Sequence, residues 1–316
     1  MKILTSFAEL QQLQSNIVYA LGTFDGLHKG HQTVIQRAVA EAKEQAAYTV
    51  VVTFDQHPLH ILRPERCPSA LLQKELKAKL LIDLGVDYVL RLPMSKELLA
   101  MTADDFVAAL TVHNEVKAFV VGQNFTFGAG GLGTPDVIKA LVEPKGIQVY
   151  ALTLAKCNEV QEHVSSTLIR EAVKVGHFEL VNTLLGRPFM FKGTVIEGDR
   201  RGRILGFPTL NFLYPKELTL PPDGVYVNRV FIDGKWYEGV GNLGDNPTFE
   251  NQYHRFEVHL FNFDKMVYGY EATVEFWKLL RPEKRFDSLD ELIKQMKIDE
   301  QAAKDFLQTK IKIKIS

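Results

Sequence analysis

The sequence predicts an α/β unit built on a parallel sheet, followed by an antiparallel β-barrel with a C-terminal helix. In residues 17–155, short apolar runs alternate with segments of helical period, a pattern typical of a parallel sheet with helices on both faces. In residues 190–280, short β-rich runs follow one another with turns between them and without helical patterns, as in an antiparallel barrel or sandwich. We therefore expect two domains, residues 1–185 and residues 186–316.

The first half contains strand-like runs that alternate with helical patterns. Thr102 is expected to cap one helix, with Asp105 at its third position. Thr134 is expected to cap another, with Pro135 as its first residue. Ligands of such sheets bind beyond the carboxyl ends of the strands, so the turns that follow these strands are where we expect a site. The predicted strands are Ile17–Leu21, Tyr48–Phe54, Val86–Leu90 and Val116–Val121.

The second half is β-rich up to a last helical pattern. Asp233-Gly234 has the composition of a two-residue hairpin turn. Ser288, with Glu291 three residues later, predicts the start of a helix. The tail Lys310–Ile315 alternates between lysine and isoleucine, which predicts an edge strand or a frayed terminus. The predicted strands are Phe191–Ile196, Gly224–Ile232, Trp236–Val240, Phe256–Phe263 and Glu271–Phe276.

Composition narrows the class of protein. The 316 residues are 46% hydrophobic and 24% charged, as in ordinary soluble proteins. A net charge of −1 argues against a general binder of nucleic acid or of membrane surfaces. Cys67 and Cys157 lack the spacing of a metal site or a disulfide framework and fit a reducing compartment. There is no signal peptide pattern and no apolar run of membrane-spanning length. We expect a cytoplasmic protein, monomeric or weakly oligomeric.

The most informative stretch of the first half is the glycine-rich turn Leu21–His31, which links a buried strand to a helix. Such a turn directs free backbone N–H groups and the positive end of the helix dipole at one point, which suits a phosphate. His28 and His31 stand three residues apart, a spacing that puts both rings on one helix face. Gly30 between them would let a ligand approach the backbone. The alternative is a pair of structural histidines.

The chemistry of this turn favours nucleotidyl transfer. Two imidazoles beside a helix N-terminus can stabilise the extra charge of a pentavalent α-phosphate without a covalent intermediate. A zinc site is disfavoured, because no His-x-x-x-His with acidic support occurs. Ser165–Arg170 offers hydroxyls at a helix start and an arginine one turn later, which would form a second anion-binding surface. The alternative there is an ordinary cap with an exposed arginine.

The run Gly128–Gly133 fits the G-x-G-x-x-G pattern of dinucleotide-binding folds. That fingerprint requires an immediate strand-to-helix turn, whereas residues 123–127 separate this run from the strand that ends near Val121. The sequence therefore predicts a flexible loop.

The informative run of the second half is Gly206–Asn211. If it is extended, Thr209 and Asn211 point to the same face, and a hydroxyl beside an amide oxygen is a donor pair suited to Mg²⁺. The glycine-rich basic run from Gly198 to Arg203 could form a phosphate-binding flap or a solvated hairpin loop. Glu257 lies in a strand, where its carboxylate could deprotonate a substrate hydroxyl or face solvent without a role.

Taken together, these motifs resemble those of one family, the bacterial bifunctional riboflavin kinase/FMN adenylyltransferases. The resemblance covers the chain from Gly22 to about Leu307. Gln56 differs from the proline that the family often has, and Leu59 from its basic residue after His-Pro. In the first half the matching motifs are Gly22–His31, Thr53–Pro58, Gly122–Gly128 and Ser165–Arg170. In the second half they are Arg201–Arg203, Gly206–Asn211, Gly224–Tyr226, Asn246–Phe249, Glu257–His259, Tyr268–Gly269 and Arg281–Phe286.

The resemblance implies a Rossmann-like nucleotidyltransferase domain followed by a six-stranded kinase barrel. It implies that His28 and His31 contact ATP phosphates and that Ser166, Thr167 and Arg170 close over them. It implies Thr209 and Asn211 as Mg²⁺ ligands and Glu257 as the base that acts on the ribityl 5′-hydroxyl. Further nucleotide contacts are implied at Gly22, Phe24, Asp25, Gly30, Gly193, Arg203, Gly206 and Pro208. Flavin contacts are implied at His57, Asn124, Arg281 and Phe286.

The implied activity is conversion of riboflavin to FMN and of FMN to FAD, each with Mg-ATP. An alcohol is a poor nucleophile, so the first reaction needs a base such as Glu257. The phosphate of FMN is already anionic, so the second needs positioning and charge stabilisation only. Two alternatives remain at this point: a chain in which only one activity survives, and a flavin-binding regulator.

Overall fold

The structure is a computed structural model that describes residues 2–153, 156–157, 162–198, 206–245 and 254–315. Packing divides the chain into two compact units. The first unit comprises Met1–Ser69 and Lys74–Ser166, and the second comprises Ala70–Gln73 and Thr167–Ser316. The division therefore falls ahead of residue 185, where the sequence analysis sets the domain boundary.

The first unit is built on a six-stranded sheet in which every neighbouring pair is parallel, in the order β1-β4-β3-β2-β5-β6. Its central strands are apolar and buried along nearly their whole length, as expected for strands covered on both faces. Parallel strands place their carboxyl ends along one edge of the sheet, where ligands bind. The strands are β1 Lys2–Leu4, β2 Asn16–Leu21, β3 Tyr48–Phe54, β4 Tyr88–Leu92, β5 Glu115–Gly122 and β6 Gln148–Leu152.

The helices of the first unit begin where the cap residues predict. The hydroxyl of Thr102 accepts a hydrogen bond from the N–H of Asp105 (3.1 Å), and that of Thr134 accepts one from Val137 (3.3 Å), which confirms both caps. The helices are α1 Phe7–Gln11, α2 Lys29–Glu44, α3 Leu59–Leu62, α4 Lys74–Asp83, α5 Lys96–Ala100, α6 Ala103–Thr111 and α7 Pro135–Val142. A short antiparallel pair, β7 Lys156–Cys157 and β8 Glu162–His163, follows the sheet.

The second unit is built on six antiparallel strands in the order β10-β13-β12-β11-β14-β9. Ile196, just after β9, donates its N–H to the carbonyl of Asn211 on β10 (2.9 Å) and so joins the two edges of the curled sheet. This confirms the predicted antiparallel barrel. The strands are β9 Phe189–Thr194, β10 Thr209–Leu213, β11 Gly224–Ile232, β12 Lys235–Asp245, β13 His254–Leu260 and β14 Glu271–Pro282. The helices are α8 Ser166–Lys174, α9 Phe178–Leu185 and α10 Leu289–Ile315.

Aromatic rings fill the barrel, and Phe276 lies at their centre. Its ring stacks on Phe178 of α9 (5.2 Å between centroids) and contacts Tyr226 and Phe256, each at 5.1 Å. Asn182 of α9 donates to the carbonyl of Phe276 (3.0 Å). These contacts explain why α9 packs with the second unit.

The C-terminal tail differs from its prediction. Ser288 caps α10 as expected, since its hydroxyl accepts the N–H of Glu291 (3.2 Å). The alternating segment Lys310–Ile315, however, continues α10 instead of forming a strand or fraying. Ala303 and Leu307 anchor the helix in a buried cluster, and extending an existing helix costs far less than nucleating a new element. The edge-strand prediction is therefore wrong.

Replacing Phe276 with alanine should destabilise the second unit by about 3–5 kcal/mol, because a large ring leaves a cavity among fully buried neighbours. The measurement is urea unfolding followed by tryptophan fluorescence, since the two tryptophans of the chain lie on β12 and β14. Leu213→Ala on β10, where the side chain is 41% exposed, should change the unfolding free energy by less than about 0.5 kcal/mol. Equal effects of the two substitutions would contradict the central role of Phe276.

Candidate active sites

The turn between β2 and α2 holds the first group of candidate residues. The N–H of Gly22 donates to the carbonyl of Val52 (3.2 Å), so the β2–β3 ladder continues to the start of the turn. The backbone is then left-handed at Phe24 (φ 49°), Gly26 (φ 74°) and Leu27 (φ 45°). Residues other than glycine seldom adopt this conformation, and such strain persists only where the surroundings impose it.

His28 caps α2 rather than lying within it. Its Nδ1 accepts a hydrogen bond from the N–H of His31 (3.3 Å), which satisfies one of the free donors at the helix start. The two imidazoles are stacked, with 3.6 Å between centroids and 17° between planes. Phe24 packs edge-on against His31 at 5.4 Å. The rings therefore meet, as the spacing predicts, but through a cap rather than through two positions on one helix.

Both imidazoles are neutral near pH 7. Burial lowers the pKa of His28 to about 4. Burial also holds the pKa of His31 well below its usual value, with smaller contributions from the charges of His28 and Lys77. Because Nδ1 of His28 accepts a hydrogen bond, its proton resides on Nε2. A neutral ring of this kind can donate to a phosphate oxygen without adding a charge of its own.

A cavity of 570 Å³ opens beside this turn, at the carboxyl edge of the parallel sheet. Its wall includes the last residues of β2, β3 and β5, namely Leu21, Phe54 and Gly122. The sequence-predicted residues on its wall are Gly22, Phe24, His28, His31, Asn124 and Ser166. Apolar residues that the sequence analysis did not single out also line it, among them Phe54, Pro58, Leu62, Leu98, Phe106 and Phe125. They lie at or after strand ends or at helices, and such apolar residue types are also typical of an ordinary hydrophobic core.

Three other predicted residues of the first unit, Asp25, Gly30 and His57, are not among the described residues that line this cavity. The carbonyl of Asp25 accepts a hydrogen bond from the hydroxyl of Ser166 (3.0 Å), the last residue of the first unit. Gly30 is buried in the first turn of α2. His57 uses Nδ1 to accept the N–H of Leu59 (3.1 Å) at the start of α3.

Thr167 and Arg170 follow Ser166 along α8 and belong to the second unit. Arg170 is only 9% exposed, so the alternative of an ordinary exposed arginine is wrong for this residue.

The glycine-rich run Gly128–Gly133, which we predict to be a flexible loop, forms a hydrogen-bonded turn. Phe127 and Gly133 exchange two backbone hydrogen bonds (3.0 and 2.9 Å). Gly128, Gly130 and Gly131 have positive φ, and a Cβ on Gly128 would lie 2.9 Å from the backbone nitrogen of Ala103. The glycines thus permit a tight turn whose backbone forms part of the cavity wall.

The second group of candidate residues is assembled by strand pairing in the barrel. Antiparallel register places Asn211 of β10 directly opposite Glu257 of β13, and Thr209 opposite His259. On the other side of β13, Asn242 of β12 is also opposite Glu257. Directly paired residues share a face and lie within a few ångströms. The two predicted metal ligands and the predicted base therefore lie side by side.

Asn211 has an unsatisfied acceptor in this group. The residue is 5% exposed, and its Oδ1 has no hydrogen-bond partner among the described residues. Its amide nitrogen lies 3.5 Å from the hydroxyl of Thr209, and a Cβ on Gly198 would collide with the same amide. A buried amide oxygen that accepts no hydrogen bond is free to bind a cation. Together with the neighbouring Thr209 hydroxyl, it forms a pair of oxygen ligands that fits Mg²⁺.

Charged and polar neighbours surround the Glu257 carboxylate, which is partly exposed. The Arg255 guanidinium lies 3.8 Å from it on the same face of β13. His259 donates from Nδ1 to the carbonyl of Pro208 (2.9 Å), because a carbonyl can only accept. The sequence analysis assigned no role to Arg255, His259 or Asn242. Alternation along the strand was the signal for the first two, whereas Asn242 required the strand pairing.

Two cavities meet at this group. One, of 250 Å³, is lined by Glu257 and His259 together with apolar side chains such as Phe207, Phe286 and Met296. The other, of 180 Å³, is lined by Gly198, Pro208 and Asn211 together with Asp264 and Lys265. Thr209 lines both cavities. A molecule bound in one cavity and a second molecule bound in the other would therefore face each other at the Asn211–Glu257 pair.

The predicted flavin residues Arg281 and Phe286 line the larger barrel cavity. Arg281 forms a bidentate ion pair with Asp299 of α10, with its Nε 3.1 Å from both carboxylate oxygens and Nη2 at 2.8 Å. Its guanidinium also lies over the Phe286 ring at 5.8 Å. Arg281 therefore joins the end of β14 to α10 and supports the ring.

The other predicted nucleotide residues of the second unit are placed as follows. Pro208 lines the smaller barrel cavity, and Gly193 lies in β9 against Phe191 and Phe212. Gly206 has a φ of 83° and open space where a Cβ would be. Arg203, and the motifs Arg201–Arg203 and Asn246–Phe249, lie outside the described residues.

These features define a protein with two candidate phosphate-binding sites. One is a strand-to-helix turn with paired neutral imidazoles on a parallel sheet, and the other combines a carboxylate with a hard-donor pair in a barrel. The family model of FAD synthetase matches residues 10–168, and that of riboflavin kinase matches residues 185–307. The chain belongs to the bifunctional riboflavin kinase/FMN adenylyltransferase family.

Individual relatives match over nearly the whole chain. The bifunctional riboflavin kinase/FMN adenylyltransferase of Bacillus subtilis is 35% identical over 93% of this chain and 93% of its own length. The Escherichia coli protein of the same name is 34% identical over 97% and 98%. A crystal structure named Macrolide-efflux Protein, from Streptococcus pneumoniae, superposes with a TM-score of 0.86 at 31% identity, over 96% of this chain and 98% of that chain. Within the described ranges, the helices include none that is long and apolar enough to cross a membrane.

Replacing His28 with asparagine, which can still cap a helix, should reduce the decrease in the free energy of unfolding between pH 7 and pH 4. The folded state keeps His28 neutral down to about pH 4, whereas the unfolded chain takes up the proton near pH 6.5. Stability is therefore lost as the pH falls from 7 to 4, by about 3 kcal/mol at pH 4 for this residue. Urea unfolding followed by circular dichroism at each pH measures it. His113→Asn, at an exposed histidine, is the control, and parallel pH profiles for wild type and His28→Asn would contradict the assignment.

Proposed function

We propose that this chain catalyses both reactions of its family, phosphorylation of riboflavin to FMN in residues 186–316 and adenylylation of FMN to FAD in residues 1–185. Each reaction uses ATP. The observation that carries the proposal is that each unit has its own cavity lined by candidate phosphate-binding or catalytic side chains, His28 and His31 in the first unit and Thr209, Asn211 and Glu257 in the second. A chain with one degenerate half or a flavin-sensing regulator would have no need of both sets. Because both reactions consume ATP, we place the protein in the cytoplasm. We also propose that it is a monomer or weak oligomer and that it does not bind nucleic acid.

In the proposed kinase reaction, Glu257 accepts the proton of the ribityl 5′-hydroxyl as that oxygen attacks the γ-phosphorus of ATP, and ADP leaves. The carboxylate is held between Asn211 and Asn242 by strand pairing, so its position does not depend on a mobile loop. The Arg255 guanidinium lies 3.8 Å from the carboxylate, close enough to help orient it. The aromatic wall with Phe207 and Phe286 suits a flat flavin ring, and Arg281 supports that wall through Asp299.

The oxygen of the Thr209 hydroxyl and Oδ1 of Asn211 would hold Mg²⁺. When bound there, this ion supplies positive charge to the phosphates of ATP. Thr209 borders both barrel cavities, which supports a binding position between nucleotide and flavin. Gly193, Gly206 and Pro208, with Arg203, would complete the nucleotide site.

In the proposed adenylyl transfer, a phosphate oxygen of FMN attacks the α-phosphorus of ATP, and pyrophosphate leaves. No side chain has to remove a proton, because the phosphate is already ionised. His28 and His31 are neutral donors beside the free N–H groups of α2, which suits the charge that grows on the α-phosphate. We assign Ser166, Thr167 and Arg170 to closure over the phosphates, and Asn124 and His57 to the flavin side of the site.

Glu257→Gln should lower FMN formation from riboflavin at least about 100-fold, because the general base is lost, and leave FAD formation from FMN within twofold. His31→Ala should do the reverse, since it removes a donor to the transition-state charge. The measurement is chromatographic separation of riboflavin, FMN and FAD after incubation with ATP and Mg²⁺. Each variant controls for the folding of the other. The two-site proposal fails if one variant abolishes both reactions or if neither reaction changes.

Asn211→Ala should raise the Mg²⁺ concentration at which riboflavin phosphorylation is half-maximal by about 10-fold or more. The Mg²⁺ dependence of FMN adenylylation in the same preparation should not move, because that reaction belongs to the other unit. A Mg²⁺ titration of both reactions tests this, and an unchanged curve for phosphorylation would remove Asn211 from the metal site.

A further inference from the structure

Behind the wall of the first cavity, two polar side chains converge on one backbone carbonyl. Thr23 lies in the turn between β2 and α2, and its carbonyl accepts hydrogen bonds from the hydroxyl of Thr53 on β3 (3.0 Å) and from the ammonium of Lys77 on α4 (2.7 Å). The Lys77 ammonium also donates to the Thr53 hydroxyl (3.0 Å). Thr23 lines the cavity, whereas Thr53 and Lys77 are not among the described residues that line it. The contact therefore acts on the turn from the side away from the ligand.

The turn needs such a restraint. The backbone changes to the left-handed conformation at Phe24, directly after Thr23, and remains partly left-handed up to Leu27. Conformations of this kind cost about 1–3 kcal/mol for each residue and persist only where other contacts impose them. A charge-assisted hydrogen bond to the Thr23 carbonyl is one of the stronger contacts available. It fixes the peptide after which the strained segment begins.

We propose that Lys77, together with Thr53, is a positioning residue for adenylyl transfer, which holds the turn that presents His28, His31 and the α2 N–H groups to the nucleotide. The inference rests on the proposed function of the first unit. Lys77 does not touch the reacting phosphates. Its role is to fix the Thr23 carbonyl, and a small displacement of groups aligned on a transition state can cost about 100-fold in rate.

The charges around Lys77 make this role measurable through pH. Burial lowers the pKa of Lys77 to about 8, Asp25 of the turn opposes that shift, and Arg91 of β4 adds to it. His31 of α2 also senses the ammonium charge. At pH 7 Lys77 is therefore protonated and has three N–H donors, and it becomes a neutral amine as the pH rises through 8. The two imidazoles are already neutral in this range, so they do not contribute to a change near pH 8.

The experiment compares Lys77→Met, Lys77→Arg, Thr53→Val and the Lys77→Met/Thr53→Val double variant with wild type, between pH 6.5 and 9.5. Lys74→Met, at an exposed position on the same helix, is the matched control. For each protein, kcat and KM are measured for FAD formation from FMN and, in the same preparation, for FMN formation from riboflavin.

Lys77→Met should lower kcat for FAD formation by about 10- to 100-fold, leave the KM for FMN within about threefold, and leave riboflavin phosphorylation unchanged. Wild-type FAD formation should decline above pH 8, and this decline should be absent from Lys77→Met. Lys77→Arg keeps its charge throughout the range, so it should retain more activity than Lys77→Met and show no decline near pH 8. The double variant should lose little more than Lys77→Met, because both side chains act on one carbonyl.

The inference is overturned if Lys77→Met forms FAD at the wild-type rate, if its pH profile keeps the decline above pH 8, or if the effects of the two substitutions multiply. If Lys77→Met does not fold, Thr53→Val provides the test, because it removes only one hydroxyl group. A loss of about threefold or more in FAD formation alone supports the inference, and wild-type kinetics overturn it.

His28→Ala separates this result from the proposed function. If His28→Ala forms FAD at the wild-type rate, the proposed adenylyl-transfer site is wrong. If His28→Ala is inactive and Lys77→Met is fully active, only the proposed role of Lys77 is wrong.

Discussion

Hydrogen-bonded pairing between neighbouring strands is the constraint on which both candidate sites depend. In the first unit, parallel pairing brings the ends of β2, β3 and β5 to one edge, and the cavity opens there. In the second unit, antiparallel register sets Asn211 and Glu257 opposite each other. A shift of one residue in that register would turn every side chain of one strand to the other face. The closure of the barrel through Ile196 and Asn211 makes such a shift costly, because it would also break the bridge.

The two sites solve different electrostatic problems. Phosphorylation of an alcohol requires a base, and the barrel supplies a carboxylate with Arg255 nearby. Adenylylation of a phosphate requires no base, and the first unit supplies donors that burial keeps uncharged. The half-buried ammonium of Lys77 bonds to the backbone carbonyl of Thr23 in this turn. Lys77 is not among the described residues that line the cavity, whereas the neutral imidazoles of His28 and His31 line it.

The differences from the sequence prediction have local explanations. The tail after Thr309 alternates like a strand but continues α10, because a helix already anchored by Ala303 and Leu307 is extended at little cost. The run Gly128–Gly133 looked too far from its strand to matter, yet its backbone forms part of the cavity wall. Arg281 matched a flavin motif, and the structure adds the ion pair with Asp299 that the motif did not contain. That ion pair joins residues 18 positions apart, beyond the reach of the motif.

By itself, the sequence determined that a parallel α/β unit precedes an antiparallel β unit, the caps at Thr102 and Thr134, and the residue types at both candidate sites, because these depend on patterns within a few neighbouring residues. Only the tertiary structure decided how far the pKa values of these residues are shifted and which of the side chains come into contact. The low pKa of His28 follows from burial by the whole fold. The contact of Lys77 with Thr23 joins residues 54 positions apart. The residues of the turn Leu21–His31 indicate its chemistry, whereas contacts from distant parts of the first unit help to fix its shape.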